Sequence, residues 1–358
     1  MSDITLMASF RSSDRLGIQR SLQPTGVLPQ QAERVDPALP IARDEMLIEV
    51  ESLNIDSASF RQIKEVCAAD EMRMEAHIRA LVATRGKHHN PVTGSGGMLL
   101  GRVAELGPDF PIAEKPVSVG DRIATLVSLS LTPLHLRAIR KIHVGTDRVD
   151  VEGHAILFSS GLFARLPRDL PESVSLAVLD VAGAPAQMRQ WIKAGQTVLV
   201  LGGAGKSGML CLAEARRTAA LQGGGVRLIA ADYSAEGLDR VRRLGLADEC
   251  IQGDARDAVG LYRQVAALTG GKMADFVVNV TNLAETEMAA ILSCRQKGTV
   301  YFFSMATSFT RATLGAEGVG ADVDLRMGNG YTEGHAELAL DLVKSHAGLR
   351  DHFLATYR

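Results

Sequence analysis

The sequence has no surplus of basic residues, no close pair of cysteines and no long uncharged apolar run. Its 39 Lys and Arg stand against 41 Asp and Glu, a formal net charge of −2, so nucleic acid and anionic membrane are poor candidates for the main partner. The four cysteines, Cys67, Cys211, Cys250 and Cys294, are too far apart in sequence for C-x-x-C redox or zinc chemistry. Each sits among apolar neighbours and is expected to be a buried thiol. Nowhere does an uncharged apolar run reach the roughly 18 residues of a membrane span, and the acid at Asp3 breaks any leader-like start. A cytoplasmic chain binding small molecules is therefore expected. Its 358 residues, 46% apolar and 22% charged, suffice for about two domains.

The pattern changes along the chain. Before about residue 150, alternating segments such as Glu45–Glu51, Gly101–Leu106 and Asp121–Val127 are separated by turn residues at Gly107–Pro108 and Val119–Asp121. That predicts a mostly antiparallel β domain. Arg61–Lys87 reads as a charged helical stretch within it. From Thr197 onward, short β-branched runs alternate with segments of helical period, which predicts βα units on a parallel sheet. The expected strands are Thr197–Leu201, Val226–Ala231, Glu249–Ile251, Asp275–Val280, Thr299–Phe303 and Val323–Met327. The expected helices are Ser207–Leu221, Ser234 to about Leu244, Asp257–Thr269 and Ala284–Arg295. The expected division is a β-rich substrate domain over 1–155, a dinucleotide-binding domain over 156–334, and a tail, 335–358, returning to the first.

Between the strand ending at Leu201 and the helix after it lies Gly203-Ala204-Gly205-Lys206-Ser207-Gly208, a G-x-G-x-x-G motif in its proper setting. One glycine allows the sharp turn, one the approach of backbone amides to a pyrophosphate, and one close packing of helix on sheet. Gly205-Lys206-Ser207 resembles the end of a P-loop, but Val200 stands where that motif needs its first glycine; Lys206 is still a candidate to face a cofactor phosphate, with a solvated lysine in the first turn of the helix as the competing reading. Asp232, after the second strand, is placed to bind the adenosine ribose and to repel a 2′-phosphate, so NAD is expected over NADP. Its competing use is to cap the next helix, a role Ser234 can fill instead. Asp254, Asn279 and Ser304 follow the third, fourth and fifth strands at the carboxyl ends where such sheets bind ligands.

This arrangement resembles the medium-chain dehydrogenase/reductase superfamily, with Ser118–Ile123, Gly101–Gly107 and Gly330–Thr332 as landmarks. The resemblance implies a Rossmann doubly wound sheet, a GroES-like β domain, nicotinamide bound between them, and pairing through sheet edges into a homodimer or tetramer. Where zinc-dependent members carry a cysteine and a Gly-His-Glu triplet, this chain has Asp56 and Gly94–Gly97. No Cys, His and carboxylate set with zinc spacing can be assembled, so metal-free chemistry is expected. Longer strings are similar to a narrower family, the L-erythro-3,5-diaminohexanoate dehydrogenases of lysine fermentation: Asn90–Met98, Leu126–Pro133, Leu179–Gln187, Gly205–Cys211, Tyr301–Phe309, Leu314–Gly320 and Gly328–Glu337. That similarity implies oxidative deamination of a diamino acid with NAD(P)+.

Such chemistry requires acids for the substrate's ammonium groups, a partner for its carboxylate, and a base to neutralise the reacting nitrogen. Asp56 and Asp180 are the first candidates for the acids, Asp180 having helix capping or a buried interdomain hydrogen bond as its alternative use. Glu317 would join them if the loop it is read on closes over nicotinamide. Lys87 is a candidate for binding the carboxylate, or for the base if burial lowers its pKa. His88, His89 and Asn90 follow it, with a surface turn as the competing explanation. Ser95 and Thr307 are candidate hydrogen-bond donors. Two rivals stay open: a zinc-free quinone or enoyl reductase, and a non-catalytic nucleotide sensor.

Overall fold

The chain was analysed as a computed structural model that describes residues 13–92, 94 and 96–357, with the backbone alone at 57 and 58. Asp3 and Ser95 fall outside the described residues. The chain divides into two compact units between Pro167 and Arg168.

The first unit opens with the short strands β1 (Ser21–Gln23) and β2 (Arg34–Val35), followed by β3 (Met46–Asn54), α1 (Ser57–Val66) and α2 (Glu71–Arg85). Then come β4 (Met98–Leu106), β5 (Arg122–Thr125), β6 (Leu134–His143), β7 (Arg148–Leu157) and β8 (Phe163–Arg165). Six strands form one antiparallel sheet in the order β6-β7-β3-β4-β5-β8. In β7 every second residue from Val149 to Ala155 is buried, so one face meets a core that includes Met46, Ile48, Leu53, Phe60, Ile78 and Leu99. The charged stretch expected as one helix is two. Asp56 caps α1 by accepting from the Ser59 amide, and Asp70 caps α2 by accepting from Arg73. Between them Ala68 and Ala69 take positive φ, 52° and 55°, which no helix continues through.

The second unit holds α3 (Glu172–Leu179), α4 (Gly183–Met188), β9 (Thr197–Leu201), α5 (Lys206–Leu221), β10 (Arg227–Asp232), α6 (Ala235–Arg243) and β11 (Glu249–Gln252). It continues with α7 (Ala258–Thr269), β12 (Ala274–Asn279), α8 (Glu287–Leu292), β13 (Cys294–Phe302), α9 (Phe309–Gly318), β14 (Asp324–Met327), α10 (His335–Ser345) and α11 (Ala347–Tyr357). Its sheet is wholly parallel, in the order β11-β10-β9-β12-β13-β14. By order of appearance this is 3-2-1-4-5-6, the doubly wound arrangement, whose direction reverses at β9. Buried on both faces, β9 is apolar throughout its length after Thr197.

Two expectations about the unit are corrected. Residues 335–358 do not return to the first domain: α10 packs on α3, α4 and α5, and α11 on α3 and α10. The helix expected over Ala284–Arg295 is only the six residues of α8, because β13 starts at Cys294, paired with Ala274. Of the cysteines, Cys67, Cys211 and Cys294 are buried and Cys250 is partly so, all as free thiols. Among the described residues no helix is long and apolar enough to cross a membrane.

Candidate active site

The second unit places its glycine motif where β9 turns into α5. Gly202 leaves the strand with φ +79°, and its carbonyl receives the Gly205 amide at 3.1 Å. A side chain at Gly208 would bring a Cβ to 2.1 Å from that carbonyl, and one at Gly203 would meet Ala230 at 2.9 Å. These glycines are therefore required by packing. Gly205 is different: its Cβ position is open, with the nearest atom at 3.4 Å, and it lies exposed at the helix start. The first bond into the helix runs from the Met209 amide to the Gly205 carbonyl, so the amides of Lys206, Ser207 and Gly208 have no acceptor within α5. They form the anion-facing end of the helix dipole.

Asp232, the last residue of β10, stands against the same turn. Its Oδ2 accepts from the Ala204 amide at 3.0 Å and its Oδ1 from Ser234 at 3.0 Å. Ser234, not Asp232, caps α6 through the Gly237 amide. A half-buried carboxylate fixed beside an open glycine cradle fits a dinucleotide's ribose and pyrophosphate. The glycine that sequence reasoning passed over is Gly202, which carries the positive φ of the turn; its signal is the Gly-Gly pair that ends the strand.

The remaining candidates in this unit are more committed to their neighbours. Asp254 is paired to Arg256 at 2.6 Å, and that hydrogen bond holds its carboxyl at about 2. Asn279 is fully buried; its amide nitrogen donates to Thr286, and its oxygen accepts from the Thr281 hydroxyl and amide. Its side chain is engaged in shaping the turn after β12. The Ser304 hydroxyl accepts from the Ala306 amide. Asp180 ends α3 and pairs with Lys206 at 2.5 Å, so the lysine expected to face a phosphate is held by the acid expected to face substrate. Glu317 is not on a loop. Phe309–Gly318 is helical, capped by Ser308, with Ala312 and Ala316 turned inward and Glu317 exposed.

In the first unit, Gly86 ends α2 with φ +67°, and the chain enters Lys87-His88-His89-Asn90. Lys87 is buried and donates to the carbonyl of Pro29 at 2.7 Å; burial lowers its pKa to about 8. It is a strut for the Pro29–Gln30 segment and not a surface residue. Asn90, also buried, donates to Gln62 at 2.9 Å. His88 is fully buried with its Nδ1 3.1 Å from the Gly96 carbonyl, so Nδ1 carries the proton and Nε2 a lone pair. Burial drives its pKa down to about 4. A Cβ at Gly96 would lie 2.3 Å from the His88 carbonyl, and one at Gly97 would lie 2.1 Å from the Asn54 carbonyl and 2.7 Å from the Asp56 nitrogen. The backbones of His88 and Asp56 thus both pack against the Gly96–Gly97 pair.

Three buried atoms in these residues have no hydrogen-bond partner among the described residues: Asp56 Oδ2, His88 Nε2 and His89 Nδ1. His89 is half-buried, and burial, followed by the charges of Lys87 and Arg85, lowers its pKa. No group of three or more His, Cys, Asp or Glu side chains that could hold a metal occurs among the described residues.

Comparison with solved structures places the fold. A mycobacterial quinone oxidoreductase is 21% identical, with 90% of this chain and 84% of that chain covered at a TM-score of 0.50. An alcohol dehydrogenase from Thermotoga maritima is 15% identical, with 88% and 85% covered at a TM-score of 0.52. Residues 19–167 match the L-erythro-3,5-diaminohexanoate dehydrogenase N-terminal domain. Over 343 residues the chain is 46% identical to the L-erythro-3,5-diaminohexanoate dehydrogenase of Acetoanaerobium sticklandii and 45% identical to that of Fusobacterium nucleatum subsp. nucleatum. In both cases 96% of this chain and 98% of the relative are covered. The chain belongs to the L-erythro-3,5-diaminohexanoate dehydrogenase family.

Proposed function

We propose that the chain oxidatively deaminates L-erythro-3,5-diaminohexanoate with NAD+, giving 5-amino-3-oxohexanoate, ammonium and NADH, in the cytoplasm, as a metal-free step of lysine fermentation. The observation that carries this reading is the 45–46% identity to two such dehydrogenases over nearly the whole of each chain. The exposed edge strand β14 supports assembly as a homodimer, with a tetramer as the larger alternative.

The residues fit a dinucleotide. Gly203, Gly205, Ser207 and Gly208 would hold the pyrophosphate, and Asp232 the adenosine ribose. NAD is favoured over NADP because Asp232 would repel a 2′-phosphate, and because Arg256, a cation near Tyr233, is already neutralised by Asp254. The nicotinamide, when bound, accepts the hydride from carbon 3 of the substrate. Before that transfer the nitrogen at carbon 3 must lose a proton, since only its lone pair can drive the hydride out. His89 is suited to take it: the ring is neutral near pH 7 and exposed enough to pass the proton to water. Water then adds to the iminium, and ammonium leaves. Asp56 supplies negative charge for an ammonium group, and Lys87 holds the loop on which the histidines ride.

Reduced nicotinamide forming from NAD+ and L-erythro-3,5-diaminohexanoate, with no oxidation of NADPH by α,β-unsaturated carbonyls, is the expected result. The reverse pattern would establish a carbonyl reductase, and cofactor binding without turnover of either substrate a sensor.

A further inference from the structure

The orphaned atoms Asp56 Oδ2 and His88 Nε2 are both acceptors and both buried; the backbones of their residues pack against the Gly96–Gly97 pair, and the charge of Asp56 acts on the His88 ring. Two buried acceptors without a donor are costly, of the order of 1–3 kcal/mol for each unmade hydrogen bond. A ligand group that brings several N–H donors and a positive charge relieves that cost. We propose that Asp56 and His88 together seat the ammonium of the diamino acid at the carbon that does not react, and so select diamines over monoamines. The inference rests on the deaminase reading and assigns one end of its substrate.

The choice between the two ammonium groups follows from the chemistry of the acceptors. A seat for the reacting nitrogen must remove its proton. The His88 imidazole has one nitrogen engaged with the Gly96 carbonyl, and burial disfavours its cationic form. The charge of Asp56 favours that form and His77, on α2, opposes it, yet the ring stays neutral down to about pH 4. Such a ring accepts a hydrogen bond from an ammonium and leaves the proton where it is. Asp56 has its other oxygen occupied by the Ser59 amide, which fixes the carboxylate while Oδ2 is left without a partner. A shared proton acceptor and a fixed carboxylate hold a cation; they do not neutralise it.

The test is direct binding of L-erythro-3,5-diaminohexanoate and of 3-aminohexanoate, by calorimetry on the full chain without cofactor, so that its result is independent of turnover. The unaltered protein should bind the diamine at least about tenfold more tightly, and Asp56→Asn and His88→Gln should each shrink that ratio several-fold. Nitrogen NMR of the unaltered protein gives a second readout that needs no variant: the His88 Nε2 signal should move with the diamine and stay with the monoamine. Equal affinity for both ligands, an unchanged ratio in the variants, or a His88 signal indifferent to the diamine would overturn the proposal. Turnover of the diamine is measured separately. Its absence alongside diamine-selective binding would remove the deaminase reading and leave the seat standing.

Discussion

In the proposed reaction, Asp232 and His89 would bear the two residue-scale decisions, which cofactor enters and which proton leaves. Asp232 holds one oxygen on the Ala204 amide and the other on Ser234, so its charge is fixed beside the cradle. Asp232→Asn keeps the size and removes the repulsion of a 2′-phosphate. The NAD+ to NADP+ ratio of kcat/KM should fall by at least about tenfold, or about 1.4 kcal/mol, in steady-state assays. His89→Gln should lower kcat by about 10²–10⁴-fold, the range of a lost general base. Because the ring must be neutral to act, the unaltered enzyme should lose rate as pH falls through a value below 6.5, and the variant should lose that limb of its profile. The position of Asp232 beside the glycine turn was legible in the sequence because it depends on a local spacing from the glycines. The orphaned nitrogen of His88 was not, since it depends on a carbonyl eight residues away and on the burial of the whole ring.

At the scale of elements, the turn from β9 into α5 separates two kinds of glycine. Gly208→Ala drives a methyl into the Gly202 carbonyl, and should cost about 1–3 kcal/mol of stability along with cofactor affinity. Gly205→Ala meets nothing closer than 3.4 Å. It should leave the chemical-denaturation midpoint in place while weakening cofactor binding, measured by fluorescence titration. Elements bounded by such punctuation were readable: β9 runs over the expected residues, and α5 begins one residue early. Elements set by pairing were not. Cys294 and Arg295 read as the end of a helix, yet pairing of Cys294 with Ala274 puts them in β13. Glu317 failed likewise: the glycines of Leu314–Gly320 suggest a loop, but the Ser308 cap and the inward Ala312 and Ala316 make a helix.

Across the molecule, five histidines lean one way. Burial lowers the pKa of His88, His89, His154, His335 and His352. A histidine whose folded pKa lies below its unfolded value binds fewer protons in the native state. Its contribution is fully present above pH 6.5 and is lost as pH falls toward the folded value. For His88 that window runs from 6.5 to about 4, and the loss is of the order of 3 kcal/mol. Urea midpoints should therefore decline below neutrality before the carboxylates titrate, and His88→Gln should flatten part of that decline. A midpoint independent of pH between 7 and about 4.5 would contradict the burial assigned to these rings.

The reaction itself distinguishes this protein from others with the same doubly wound sheet, because only deamination releases the nitrogen of its substrate. The most direct measurement is ammonium released against NADH formed, with purified protein, NAD+ and L-erythro-3,5-diaminohexanoate, a chelator being present in a parallel reaction. Equal amounts of the two products, undiminished by the chelator, are the predicted result. NADH without ammonium, or neither product from a protein that still binds NAD+, would contradict the account.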